Sequence, residues 1–222
     1  MEQHVVVILP HPDDEAFGAS GTIIKFREEG TPVTYLCGTL GQMGRNMGSP
    51  FFANRETLPQ IRKKELVDAC KVLDVNLEML GYHDKTLEFE DLGEVAEHLK
   101  SYLDNIKPSH VITFYPGHAV HPDHDAMGAA AIEAVKRMDE ESRPEVWAKA
   151  ITHDRYEKLG RPEITINVED YFDRKLEAIE AHRSQAEGML NQFRKSPELR
   201  ELNAEGTKHL LNEEFYKWTF DK

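Results

Sequence analysis

The chain has 222 residues, 40% apolar and 30% charged, the composition of an ordinary soluble globular protein with one sizeable core. No apolar run approaches the ~20 residues that span a bilayer, and the opening Met1-Glu2-Gln3-His4 has no basic stretch of the kind that begins a signal peptide. A formal net charge of −13 argues against nucleic acid or an anionic membrane as the main partner, although a small anionic substrate needs only a local cluster of Arg or Lys.

His4 to Leu9 reads as a short buried strand ended by Pro10, and Glu15 to Glu29 as one helix closed by Gly30. Val33 to Cys37 is a second buried strand, so the order suggests a parallel βαβ unit. Gly38 to Leu58 has no periodicity and leaves the C-terminal end of a strand, which marks it as a substrate loop. Pro59 to Leu73 is an amphipathic helix, Leu77 to Leu80 a short strand, and Asp91 to Ile106 a helix stopped by Pro108. His110 to Phe114 is another buried strand, followed by a helix from Asp125 to Met138. Beyond about Glu145 the reading is a strand at Ile164 to Val168, a helix from Tyr171 to Ala186 and a polar tail. With no repeat or linker, the expectation is one Rossmann-like α/β domain over 1–222. It has a mostly parallel sheet flanked by helices, and its site lies at the strand C-termini. Cys37 and Cys70 make no framework and read as reduced, buried thiols of a cytoplasmic protein.

Two segments carry the chemistry. His11-Pro12-Asp13-Asp14-Glu15 follows one buried strand, and His121-Pro122-Asp123-His124-Asp125 follows another. Helix capping, by Asp13 or Asp14 in the first segment and by Asp125 in the second, explains one acid in each and leaves the histidines and other acids over. Together the segments offer more imidazole and carboxylate donors than the three that a catalytic zinc takes, leaving a group for proton transfer. The residues alone do not say which donors hold the metal.

These two motifs resemble the PIG-L/LmbE-like family of zinc-dependent N-acetylglucosamine deacetylases. Within that family the stretches Cys37 to Gly48 and Arg55-Glu56-Thr57-Leu58-Pro59 are similar to the bacillithiol-biosynthesis N-acetylglucosaminyl-malate deacetylases of the second type. The resemblance implies a cytoplasmic amide hydrolase that removes acetate from an amino-sugar substrate, with water at the metal as nucleophile. It implies His11, Asp14 and His124 as ligands of Zn²⁺, with Fe²⁺ able to use the same donors. Asp13 becomes the general base, His121 the residue that steadies the tetrahedral intermediate, and Asp123 the partner that orients His121. Arg62 lies in a stretch similar to one whose Arg faces the family's site, and Arg45 and Arg55 are candidates for the malate carboxylates. His118 is expected in a loop or behind the site and His182 near the site, and nothing singles out His83, His98, His153 or His209. Relatives that assemble into trimers or hexamers imply a homo-oligomer. A deacetylase of another N-acetylglucosamine conjugate, or a non-catalytic sugar- or nucleotide-binding α/β domain, is the alternative.

Overall fold

The computed structural model describes residues 3–195 and 210–220; His209 and most of the polar tail before β7 lie outside them. The first strand, β1 (Val5–Leu9), is five apolar residues none more than 2% exposed. Strands covered on both faces read this way. Val5, Val7 and Leu9 enter one core with Ile23, Tyr35 and Leu66, whereas Val6 and Ile8 enter another with Leu99, Leu103 and Ala131. That alternation follows from the two-residue period of a strand.

β2 (Val33–Cys37) and β4 (His110–Phe114) flank β1 in parallel; β3 (Asn76–Met79) pairs with β2, and β5 (Glu145–Lys149) with β4. β7 (Asn212–Trp218) then runs antiparallel to both β5 and β6 (Ile164–Asn167). The seven-stranded order is β3-β2-β1-β4-β5-β7-β6. Connections leave β1 toward β2 on one side and β4 toward β5 on the other. The gap beyond β1 and β4 is therefore the switch point where open α/β sheets bind ligands. Both His-Pro-Asp segments emerge there. The fold is the expected α/β class with a mostly parallel sheet. Among the described residues no helix is long and apolar enough to cross a membrane.

Two expected helices are each broken in two, for the same physical reason. Glu15 to Glu29 is α1 (Asp14–Gly18) and α2 (Ser20–Glu28), separated at Ala19, whose φ is −145°. The amides exposed at the start of α2, Gly21 and Thr22, donate to the two carboxylate oxygens of Glu213 on β7, at 2.9 and 2.7 Å. Tyr171 to Ala186 is α7 (Phe172–Ala181) and the start of α8 (Arg183–Lys195), separated at His182. There Glu65 accepts the amide and hydroxyl of Ser184 at 2.7 and 2.6 Å. Unpaired helix amides need acceptors; here buried glutamates supply them from remote parts of the chain.

α3 (Leu58–Leu73) and α4 (Leu92–Ile106) match expectation within a residue or two, α4 being capped by Asp91 on the amide of Glu94. α5 (Pro122–Lys136) begins three residues before the expected Asp125, with His121 as its N-cap and Pro122 in the first turn. A short α6 (Arg155–Leu159) completes the helices. β5 and β7 are additions to the expected strands, and part of the polar tail is β7, the strand between β5 and β6.

Candidate metal centre and active-site cavity

His11 leaves β1 with its loop carbonyl held by the hydroxyl of buried Tyr35 at 2.9 Å, and its amide donates to Asp14 Oδ2 at 2.8 Å. His124 sits in the first turn of α5. Its ring stacks on Phe114 with centroids 4.0 Å apart and planes 7° from parallel. Gly128, the next turn of α5, permits this approach, because a Cβ there would stand 2.4 Å from the Phe114 carbonyl oxygen.

The result is a triangle of donor atoms from residues 113 positions apart: His11 Nδ1 lies 3.2 Å from His124 Nε2. His11 Nδ1 is 3.3 Å from Asp14 Oδ2, and His124 Nε2 is 3.2 Å from Asp14 Oδ1. Tetrahedral zinc with ligands at its usual bond lengths separates them by about 3.3 Å. His124 Nδ1 is committed to the carbonyl of Ala119 at 2.9 Å, which leaves Nε2 as the free lone pair. His11 Nε2 faces Asp84 Oδ1 at 3.1 Å and Asp123 Oδ2 at 3.2 Å, which leaves Nδ1 free in the same way.

Two overlapping groups, His11 with His121 and His124, and His11 with Asp84 and Asp123, also bring ligand atoms within 4.8 Å of one another. The charges agree with a cation site. Burial opposes the imidazolium of His11, yet Asp123, Asp14 and Asp84 hold its pKa well above the ordinary value. Burial likewise opposes the carboxylate of Asp14, and His124 and His11 overcome it and pull its pKa down. Asp84 is held at about 2 against burial by His11 and the Met43 amide. A buried His/Asp cluster with this appetite for positive charge fits a divalent ion of the zinc type.

Asp13 stands beside the triangle in a conformation that L-residues rarely adopt, φ 110°. Arg62 Nη2 donates to Asp13 Oδ2 at 3.1 Å and to the Pro12 carbonyl, and Nη1 donates to Gly41 O at 2.9 Å. Gly41 has no Cβ because one would lie 1.9 Å from Arg62 Nη1. The Asp13 amide donates to Glu15 Oε2 at 3.0 Å. Burial, opposed by Arg62 and aided by Asp14, raises the Asp13 carboxyl to about 6.

His121 Nδ1 accepts the amide of Asp123 at 3.1 Å, so its proton resides on Nε2. The expected partnership with the Asp123 carboxylate takes a different form. Asp123 is fully buried in the first turn of α5, and its carboxylate turns to His11 Nε2 and to the amides of Lys85 and Leu87.

A cavity of about 480 Å³ opens onto these groups, lined by His11, Asp13, Asp14, His121 and His124 and walled by Arg45, Arg62, Asp84, Lys85 and Gln185 among others. Of the expected substrate arginines, Arg62 and Arg45 reach it. Arg55 is not among the lining residues and instead donates to the carbonyl of Gly44 at 2.8 Å, bracing the loop. His118 caps nothing in the triangle and bonds Thr152 at 3.2 Å, as a loop residue. Asp84 and Lys85 were not singled out from the sequence. Their signal was available: Asp84 follows the end of a short strand, the place both His-Pro-Asp segments occupy.

The family model described as GlcNAc-PI de-N-acetylase, PIG-L, matches residues 6–135, which include both His-Pro-Asp segments. A Bacillus cereus protein described as "Probable N-acetyl-alpha-D-glucosaminyl L-malate deacetylase 2" is 53% identical over 98% of this chain and 100% of its own length. The chain belongs to the PIG-L family. Among solved structures, the N,N'-diacetylchitobiose deacetylase from Pyrococcus horikoshii superposes with a TM-score of 0.71 at 26% identity, covering 97% of this chain and 84% of that one. The 4-carboxy-2-hydroxymuconate hydratase GalB of Pseudomonas putida KT2440 superposes at 0.75 with 17% identity over 99% and 98% of the two chains, a likeness of fold alone. Fold therefore leaves the reaction open here, and the site must decide it.

Proposed function

We infer that this chain is a metal-dependent N-deacetylase that hydrolyses the acetamide of N-acetylglucosaminyl-malate in bacillithiol biosynthesis, giving acetate and the free amine. The observation that carries the reading is the donor triangle of His11, Asp14 and His124 with the Asp13 carboxylate beside it at the cavity floor. The aglycone follows the printed activity of the Bacillus cereus relative.

His11 Nδ1, Asp14 and His124 Nε2 would hold the ion. The alternative side of His11 is already occupied: Met43 donates to Asp84 at 2.7 Å, and Lys85 and Leu87 donate to Asp123. Asp84 and Asp123 thereby orient His11 from behind. When bound, a zinc-type ion supplies Lewis acidity to the amide carbonyl and to water, and Fe²⁺ is compatible with the same donors. Asp13 accepts the proton of the attacking water and returns it to the departing nitrogen, a role suited to a carboxylate fixed beside the donor triangle. Arg62 and the Glu15 contact hold Asp13 in place. His121 offers its Nε2–H to the oxyanion as the carbonyl becomes tetrahedral. Arg45 and Arg62 are the substrate-facing arginines of this reading. Arg55 acts through the loop.

The reading takes 1–222 as one deacetylase domain in the cytoplasm, supported by a single sheet uniting the described strands and by two buried free thiols. It also takes the protein as a homo-oligomer, supported by Phe51, Phe89 and Val120 standing 86%, 78% and 70% exposed. Light scattering on the purified protein measures that. The test of function is acetate release from N-acetylglucosaminyl-L-malate before and after chelation. Turnover is expected to vanish with the metal and return when zinc is restored; turnover that survives complete metal removal rejects it.

A further inference from the structure

The cavity wall carries three cations, Arg45, Arg62 and Lys85. Arg62 is buried and already spends its guanidinium on Asp13 and two carbonyls. Arg45 and Lys85 are exposed, and among the described residues neither head group has a hydrogen bond or an acidic partner. Uncommitted cations beside a reaction site are notable in a chain of net charge −13, whose field otherwise repels an anionic substrate.

Their placement is tied to the metal centre. Asp84 touches His11 Nε2 through Oδ1 at 3.1 Å, while its Oδ2 holds the Met43 amide at 2.7 Å, two residues before Arg45. The Asp84 amide in turn donates to Gln42 Oε1 at 3.1 Å, joining the two segments. Asp123 Oδ2 touches His11 Nε2 at 3.2 Å and accepts the Lys85 amide at 2.6 Å. Lys85 itself has φ 65°, in the left-handed region that L-residues seldom adopt. Arg55 steadies the same Arg45 segment through the carbonyl of Gly44, the residue before Arg45. The two carboxylates behind one metal ligand therefore each fix a segment that ends in a free cation.

We propose that Arg45 and Lys85 form a paired cationic clamp for the carboxylates of a dicarboxylate aglycone, and that this pair selects which N-acetylglucosaminyl conjugates the enzyme hydrolyses. The proposal rests on the deacetylase reading and adds Lys85 to it. A dicarboxylate such as malate presents two anionic groups, and each takes a charge-assisted hydrogen bond from one of the two cations.

The test compares acetate release from the L-malate conjugate with release from methyl N-acetylglucosaminide, in the wild type and in Arg45→Gln, Lys85→Gln and Lys85→Arg. Each glutamine variant should lose about tenfold in kcat/KM for the malate conjugate relative to the methyl glycoside, with the loss in KM. Lys85→Arg should keep most of that preference. Calorimetry in an Asp13→Asn background, where the substrate is not consumed, should show the same weakening of binding. An unchanged ratio and affinity in both glutamine variants overturns the clamp. So does a fall in kcat for both substrates alike, which would mark a structural role. If the wild type releases acetate from neither substrate, the deacetylase reading fails, and the calorimetric comparison still decides the clamp.

Discussion

His182 Nε2 and Glu15 Oε1 lie 2.5 Å apart with neither side chain exposed, although 167 positions separate them. Burial opposes a charged His182, and Glu15 overcomes that to raise its pKa. The second oxygen of Glu15 holds the amide of Asp13. His182 thus acts through Glu15 on the backbone of the proposed base, and it is a positioning residue. His182→Ala leaves a buried carboxylate without its partner and should cost about 3–5 kcal/mol of stability, read by urea unfolding. In protein that remains folded, kcat should fall with little change in KM. An equal fall on the KM side would place His182 in substrate binding instead.

The donor triangle separates two kinds of variant. Removing a donor, as in His124→Ala or Asp14→Ala, should abolish stoichiometric zinc by elemental analysis and with it turnover. Asp13→Asn should keep its zinc and lose about 10²–10⁴-fold in kcat, the range for a general base. Loss of metal in Asp13→Asn would move Asp13 into the ligand set.

Gly128 tests the helix that carries His124. A methyl group there meets the Phe114 carbonyl oxygen at 2.4 Å, a backbone atom that cannot swing aside. Gly128→Ala should cost about 1–3 kcal/mol by overpacking and weaken zinc affinity, since α5 must shift away from β4. Unchanged stability and metal content would show that α5 does not rely on this approach.

A buried acid and a half-buried lysine away from the metal give pH signatures of the same sign in two different windows. Glu213 pairs with Lys175 at 2.6 Å and caps α2; burial opposes its charge, but Lys175 and Lys149 hold its pKa below 4.5. Its folded pKa lies under the unfolded one. Its contribution is therefore present above the unfolded value and is lost as pH falls through the folded value. Glu213→Gln should cost about 3–5 kcal/mol at pH 7, and the gap from wild type should narrow in acid. Lys149 has its pKa lowered by burial from 10.5 to about 8. The unfolded chain binds its proton more tightly, so stability should rise between about pH 8 and 10.5. Lys149→Met should lack that rise. Denaturant melts of both variants across these windows measure the effect.

Much of this molecule is written locally. Val5 to Leu9, Val33 to Cys37 and His110 to Phe114 are apolar runs of strand length, and both-face burial is the only stable place for them. Their order with the amphipathic helices dictates a parallel sheet, and two His-Pro-Asp segments at strand ends dictate a site at its C-terminal edge. The helix breaks at Ala19 and His182 were not legible, because the acceptors that make each break tolerable, Glu213 and Glu65, come from distant elements. β7 was hidden for a related reason: a partly exposed antiparallel strand rich in Glu and Lys lacks the apolar run that marks a central one.

The opening motifs likewise divide between the two levels. By itself the sequence determined that imidazoles and carboxylates in excess would gather at one sheet edge, since residue type and strand position suffice for that. Only the tertiary structure decided what each does. His11 can present Nδ1 to the triangle because Asp84 and Asp123 occupy its Nε2, and His124 presents Nε2 because Ala119 takes its Nδ1. Which nitrogen is free is a matter of hydrogen bonds between segments far apart in the chain, and no spacing within a motif encodes it.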